Sequence, residues 1–226
     1  MPKPVRLEFS EKYDHEHAQQ YLRKHRQGLA RRLSHQRDEQ LARRALALVG
    51  EPGLVLDLPC GAGRFWPLLA EKANRVIIAA DNSQAMLETA CGSQPAEVVS
   101  RVRPLQTSAF AIDLPDSSVD SIFCMRLFHH VGKAEHRRAV LEEFHRVSRD
   151  SVILSLWVDG NFKAWRRRKL EQRRARRNEQ NDYQNRHVLA ADTVEAEFEA
   201  AGFSIQERLD FLPFYAMWRV YVLRKR

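Results

Sequence analysis

The chain has 226 residues, 44% of them apolar and 29% charged, enough for one domain with a full core and a small appendage. Lys and Arg number 37 against 29 acids, and the net charge of +8 favours anionic partners: nucleic acid, an acidic membrane surface or a phosphorylated substrate. No run of about 18 uncharged apolar residues occurs, so no bilayer-spanning segment is expected.

The amino end is charged and lacks an apolar stretch, so no secretory signal is expected. Three widely spaced cysteines, Cys60, Cys91 and Cys124, match neither a secreted disulfide framework nor a zinc knuckle. Both features predict a cytoplasmic protein with reduced thiols. The first fifty residues read as a helical cap, with Tyr13, His15 and His17 packed in it or closing as a lid. Ser34 is the expected N-cap of a helix to Val49 in which Leu41, Ala45 and Leu48 share a face, and Gly50 stops it.

After the turn Glu51-Pro-Gly, Leu54-Val-Leu-Asp-Leu is a short buried strand broken by Gly61-Ala-Gly, and Arg64 to Lys72 resumes helical spacing. A second strand ends at Asp81, and Ser83 caps a helix to about Ala90. Val102 to Gln106, Val119 to Met125 and Ser151 to Trp157 are the third, fourth and fifth strands. Between the last two, Lys133 to Val147 is an amphipathic helix with Val140, Leu141, Phe144 and Val147 inward. Such alternation predicts a parallel sheet covered on both faces. Asp192 to Ala201 is a helix closed by Gly202, and Phe203 to Phe211 and Tyr215 to Leu223 are strands joined through Pro213. Neighbouring strands with a short connection should be antiparallel.

The predicted fold is therefore α/β, doubly wound and mostly parallel, with a C-terminal antiparallel hairpin and an N-terminal helical cap. It divides one domain into a cap (1–50), a cofactor-binding core (51–157), a basic helical insert (158–187) and closing elements (188–226).

In doubly wound sheets ligands bind beyond the carboxyl ends of the strands, where the first strand turns into its helix. Here that turn is Asp57-Leu-Pro-Cys-Gly-Ala-Gly, in which Gly61 and Gly63 permit close backbone approach. Asp81 ends the second strand 24 residues after Asp57, where a carboxylate can accept both hydroxyl protons of a ribose. A nicotinamide-binding Rossmann turn is the rival reading, but its third glycine is replaced by Trp66.

Four segments carry a resemblance. Val55-Leu-Asp-Leu-Pro-Cys-Gly-Ala-Gly-Arg-Phe resembles motif I of class I methyltransferases, and Asp81-Asn-Ser-Gln-Ala-Met-Leu resembles their following acidic motif. Asp116 to Val131 resembles the fourth-strand signature of the type 11 group, and Ala200-Ala-Gly-Phe before the terminal hairpin fits as well. The resemblance implies a Rossmann-like methyltransferase sheet that binds S-adenosylmethionine. It implies that Asp57 acts through the turn and the methionine amino group and that Gly61, Ala62 and Gly63 pass beside the cofactor. Asp81 and Asn82 would hold the ribose end, Met86 and the Ala109 backbone would meet adenine, and Met125 would line the same site. Two positions depart from the pattern: Pro59 replaces the first glycine, and Ser108 stands where the family usually has an acid.

Methyl transfer from a sulfonium is an in-line displacement that depends on positioning, and an already ionised acceptor needs no base. After the fourth strand, Arg126 either forks onto a phosphate or carboxylate of the acceptor or pairs with an acid of the protein, while His129 and His130 either pack or serve as a general base. From Phe162 to Arg177 nine cations face a single acid, Glu171, with Phe162, Trp165 and Leu170 as a thin apolar stripe. Arg166, Arg167, Arg173 and Arg174 are the expected acceptor-binding cations of this insert. The expected acceptor is an anionic small molecule or glycolipid, such as a phosphorylated lipopolysaccharide or envelope-glycan component, with association at the cytoplasmic face of the inner membrane. RNA methylation through the basic insert and a non-catalytic binding role are the alternatives.

Overall fold

The computed structural model describes residues 29–176 and 186–226. The lid expectation for Tyr13, His15 and His17 lies outside the described residues, as does Arg177. The strands are β1 (Leu54–Asp57), β2 (Val76–Asp81), β3 (Val102–Gln106), β4 (Val119–Cys124), β5 (Ser148–Trp157), β6 (Phe203–Asp210) and β7 (Trp218–Lys225). The helices are α1 (Leu29–Leu48), α2 (Trp66–Leu69), α3 (Gln84–Ser93), α4 (Ala96–Val99), α5 (Ala134–Val147), α6 (Phe162–Arg176) and α7 (Ala191–Ala200), with a 3-10 turn at Phe128–His130.

One sheet runs β3-β2-β1-β4-β5-β7-β6. The first five strands pair parallel, because each connection crosses over rather than turning back. β7 inserts between β5 and β6 and pairs antiparallel with both, so the expected terminal hairpin closes a mostly parallel sheet.

Strand side chains alternate between two cores. Val55, Ile77, Phe123, Ile153 and Val222 pack with Leu41, Ala45, Trp66, Leu69 and Leu87 from α1, α2 and α3. Leu56, Ile122, Leu154, Tyr221 and Leu223 face the other way, onto Val140, Leu141, Phe144, Val194 and Phe198 of α5 and α7.

Several boundaries differ from expectation. Ser34 is not the N-cap: α1 already includes Leu29, and the intervening Leu, Ala and Arg residues are good helix formers. The helical spacing of Arg64 to Lys72 yields only the four residues of α2. Its carboxyl end is taken over by arginines from outside, Arg75 Nη1 bonding the Leu69 carbonyl at 3.2 Å and Arg101 the Ala70 carbonyl. β5 starts at Ser148 rather than Ser151, and Arg149 beside it pairs with Asp120 at 2.9 Å. Tyr215 lies in the loop before β7, because residues 211–217 turn toward α6: the amides of Phe162 and Lys163 bond the carbonyls of Phe214 and Tyr215 at 2.9 and 3.1 Å.

Arg137 ties the loop after β4 to both helices of the second face. It is buried on α5 and donates to both oxygens of Glu197 on α7 at 2.7 and 2.5 Å. Its Nη1 also bonds the carbonyls of Val131 and Gly132 at 3.1 and 2.7 Å. Arg137→Ala leaves a carboxylate and two carbonyls without this donor, and should lower the unfolding free energy by about 3 kcal/mol. In urea denaturation, pairing it with Glu197→Leu should restore part of the loss, because the stranded charge is gone. An unchanged midpoint in the single variant would reject this account.

Candidate cofactor and acceptor site

The turn after β1 leaves the middle of the sheet, where strand order reverses between β1 and β4. Leu58 N–H bonds the Phe123 carbonyl on β4 at 3.0 Å, and Cys60 N–H bonds the Ala80 carbonyl on β2 at 2.8 Å. Pro59 sits between these bonds with a cis peptide before it.

The two glycines of the turn do different work. Both have positive φ, +53° at Gly61 and +71° at Gly63. A Cβ on Gly61 would meet nothing within 4 Å, so this face of the turn is open. A Cβ on Gly63 would lie 2.9 Å from the Trp66 ring and 3.2 Å from Ala90 Cβ, so that glycine serves the packing of turn against helix. Trp66, at the place of the missing third glycine, is fully buried under the turn. Gln94 Nε2 secures the Gly63 carbonyl from the side at 3.0 Å.

Two carboxylates flank the turn. Asp81 is buried and accepts from Gly61 N–H through Oδ2 and from Ser83 N–H through Oδ1, each at 3.0 Å. It thus holds the turn and the start of α3 together, and it keeps lone pairs for further donors. Burial raises its pKa, partly offset by those amide bonds. Asp57 lies deeper; burial, reinforced by the nearby Asp81 charge, raises its pKa well above the usual range. Asp57 Oδ2 is buried and has no hydrogen-bond partner among the described residues. An open glycine face beside a buried, partnerless carboxylate oxygen fits a bound ligand that carries donors, and the two carboxylates favour one with an ammonium group and a diol.

The other expected cofactor residues follow the carboxyl ends of β2, β3 and β4, with Met86 on α3, or lie within the turn. Ser83 caps α3 as predicted, its hydroxyl accepting from Met86 N–H at 3.3 Å. Met86 and Met125 are buried, Ala62 is buried within the turn, and Asn82 is exposed at the end of β2. Ser108 Oγ is engaged locally, accepting from Phe110 N–H at 3.2 Å, and Ala109 is half-buried beside it.

The expected acceptor residues begin at Arg126, two residues past β4. Its φ of +69° is left-handed, a conformation costing of order 1–2 kcal/mol for a residue with a Cβ. Three contacts hold it: its N–H bonds Ser155 Oγ at 2.9 Å, its guanidinium pairs with Asp38, and it lies 4.7 Å above the Trp218 ring. Asp38 on α1 is buried and also pairs with Arg64, just past the glycine turn, at 2.6 Å. This carboxylate joins the glycine turn to the loop after β4. Sequence reasoning missed Asp38, one charged residue on an already charged helix, while for Arg126 the structure shows the expected alternative of an acid partner within the protein.

His129 is buried in an aromatic slot, with ring centroids 5.0 Å from Trp157, 4.8 Å from Trp218 and 4.0 Å from His130. Burial, with smaller contributions from His130, Arg186 and Arg126, pushes its pKa far below the usual histidine range. The ring stays neutral and is too weak a base for proton abstraction at neutral pH, so the structure favours its packing role. His130 is half-buried at the same turn.

The four arginines expected to act together are divided by the helix. Arg167 points inward, 5.0 Å above Trp157, pairing with Glu171 at 2.7 Å and donating to the Arg186 carbonyl at 2.8 Å. Arg186 lies 5.9 Å from the same ring. Arg166 and Arg173 are exposed on the outer side, and Arg174 is half-buried. Arg126, Arg167 and Arg186 thus gather over Trp157 and Trp218 at one edge of the sheet. Neither tryptophan stood out in the sequence, where each reads as strand hydrophobe.

Because His129 is held neutral in the fold, its stabilising share is complete above about pH 6.5, the ordinary histidine value, and is lost as pH falls below it. His35, His145 and His187, whose pKa values burial also lowers, add with the same sign. Asp57 and Asp81 act oppositely, since their raised pKa values favour folding on the acid side. His129→Phe fills the slot without a titrating group. Melting temperatures between about pH 7.5 and 5 should therefore fall less steeply in the variant than in the parent. Parallel profiles would contradict the burial argument.

Comparison with known proteins is consistent with this architecture. Residues 55–151 match the family model of a methyltransferase domain. An uncharacterized methyltransferase-like protein of Schizosaccharomyces pombe is 31% identical over 109 residues, covering 48% of this chain and 39% of that one. A second uncharacterized methyltransferase of that yeast is 33% identical over 108 residues, with the same coverage. The chain thus spans about two fifths of the length of the curated relatives it matches. Magnesium protoporphyrin IX methyltransferase of Synechocystis PCC 6803 with bound SAH superposes with a TM-score of 0.76, covering 96% of this chain and 98% of that one at 16% identity. Residues 55–151 thus resemble a methyltransferase domain, and the chain has the Rossmann-like fold of methyltransferases of known structure.

Proposed function

We propose that the protein transfers a methyl group from S-adenosylmethionine to an anionic acceptor bound beyond the ends of β4 and β5. One observation carries the acceptor side of this reading: the guanidinium groups of Arg126, Arg167 and Arg186 converge on Trp157 and Trp218, 4.7 to 5.9 Å from the ring centroids. Planar cations on aromatic faces form a site for carboxylate or phosphate oxygens.

On the cofactor side, Asp81 offers its remaining lone pairs to ribose hydroxyls. Asp57 supplies a buried acceptor toward the methionine ammonium, and the Gly61 backbone leaves room for the chain between them. When bound, S-adenosylmethionine supplies an electrophilic methyl on a positive sulfur. This protein's own residues then position the acceptor oxygen in line. An acceptor ionised at neutral pH needs no proton removed, which agrees with a His129 unsuited to that task. Phosphorylated and lipid-linked molecules, a lipopolysaccharide or envelope-glycan component among them, meet these demands in a cytoplasmic setting. RNA bound along the exposed cations of α6 is the alternative reading, and the labelling experiment below separates the two.

Cofactor binding is separable from folding. Gly61→Ala should fold, with modest strain from its positive φ, yet bind S-adenosylhomocysteine about tenfold or more weakly, because its methyl enters the open face. Gly63→Ala should lose stability through its clash with Trp66. Asp81→Asn should also cost at least about tenfold in affinity, from hydrogen bonds to charge worth about 1.5–3 kcal/mol each. Calorimetry and thermal melting resolve the three variants, and full affinity in both Gly61→Ala and Asp81→Asn would exclude the site.

The acceptor reading is tested by methyl-labelling small-molecule, lipid and RNA fractions of a cell extract. Label is expected in an anionic small molecule or lipid, with Arg126→Lys cutting turnover while cofactor affinity holds. His130→Gln should change the rate little. Label in RNA alone, or a dominant loss in His130→Gln with a pH profile titrating near neutrality, would overturn it.

A further inference from the structure

α6 and the loop before β7 build a second surface, on the opposite side of α6 from Arg167. Phe162, Trp165, Arg166, Lys169 and Arg173 follow helical spacing along one face, and all are exposed. Against the start of this stripe the loop places Leu212, Phe214 and Tyr215, also exposed. Phe162 and Tyr215 stack at 5.8 Å with 11° between their planes, and Phe162 lies 5.8 Å from Trp165. Lys163 sits 5.0 Å over Tyr215 and Lys169 4.1 Å over Trp165. The apolar stripe that looked thin in sequence is thickened by a segment fifty residues away.

The tip of this surface is held out deliberately. Phe214 is 88% exposed, and its φ of +60° lies in the left-handed region, which an aromatic residue with a Cβ disfavours. The two amide bonds from Phe162 and Lys163 to the carbonyls of Phe214 and Tyr215 fix the loop in that state. An exposed ring in a strained, tethered backbone gains nothing in water, and contiguous exposed apolar side chains rimmed by charge mark an interaction surface.

We infer that this surface docks the protein on an anionic lipid bilayer, with Phe214, Trp165 and Leu212 entering the headgroup region and Lys163, Arg166, Lys169 and Arg173 meeting lipid phosphates. Charge complementarity selects this occupant. The rim is cationic without a matching acid on the outer face of α6, so a second copy of the chain would meet like charge. Aromatic side chains with flanking Lys and Arg match the interfacial zone, where an apolar body and a polar edge are both accommodated. Among the described residues no helix is long and apolar enough to cross a membrane, so this contact is peripheral. The inference is independent of the acceptor and of the methyl transfer reading.

Flotation of the full chain with vesicles of phosphatidylcholine containing phosphatidylglycerol, against phosphatidylcholine alone, tests it. Binding is expected only to the anionic vesicles, and Trp165→Ser with Phe214→Asn should weaken it by about tenfold or more. Melting temperature reports folding of that double variant, and Asn suits the left-handed position. Arg166→Gln, Lys169→Gln and Arg173→Gln together should weaken binding as strongly and flatten its salt dependence. Absence of binding to anionic vesicles overturns the inference. So does binding that survives loss of Trp165 and Phe214, since contact would then be electrostatic without insertion. Tighter binding of a generic RNA oligonucleotide than of vesicles at physiological salt, or self-association through this face in sedimentation, overturns it equally.

Discussion

The turn after β1 is suspended between two neighbouring strands by two backbone hydrogen bonds, one to Phe123 on β4 and one to Ala80 on β2. β1 lies where the strand order reverses, so the turn that follows it stands at the point where ligands bind in doubly wound sheets. Asp81 then reaches across from β2 to the Gly61 amide, so the carboxylate suited to a ligand is already fixed by the protein. Preorganisation of this kind removes the ordering cost from the moment of binding.

A second level of organisation is electrostatic. Asp38 answers two arginines from loops that are distant in sequence, Arg64 beside the glycine turn and Arg126 past β4. Removing two charges from water is expensive, and a shared carboxylate offsets that expense for both at once. The α1 helix is therefore more than a cover: through Asp38 it fixes the loop after β4 relative to the glycine turn. The left-handed backbone of Arg126 is sustained by the same contact.

How much of this could be read from the sequence follows from the range of the forces involved. Alternation of apolar residues, the glycine turn and the two acids 24 residues apart are local signals, and from them the sheet, its antiparallel closure and the neighbourhood of the turn were legible. The Ser83 cap was legible for the same reason. Contacts between distant segments were not. Asp38 with Arg64 and Arg126, His129 slotted between Trp157 and Trp218, and Phe214 laid against Phe162 each join residues that carry no sign of their partner. The division of the basic helix was hidden too: nine cations look alike in a row, and Trp157 and the Arg186 carbonyl, both distant in sequence, help hold Arg167 inward.

The insertion of β7 between β5 and β6 has a consequence for biosynthesis. β6 pairs with β7 alone, and β7 is made after it. As the chain leaves the ribosome, β1 to β5 can assemble as a parallel sheet with the turn in place, but β6 must wait without a partner until residue 225 has emerged. During that interval the exposed edge of β5, with Val152, Leu154 and Leu156 along it, is open to pairing with other nascent chains. Completion of the sheet is therefore a late event, and the segment carrying Phe214 is set in its final place only then.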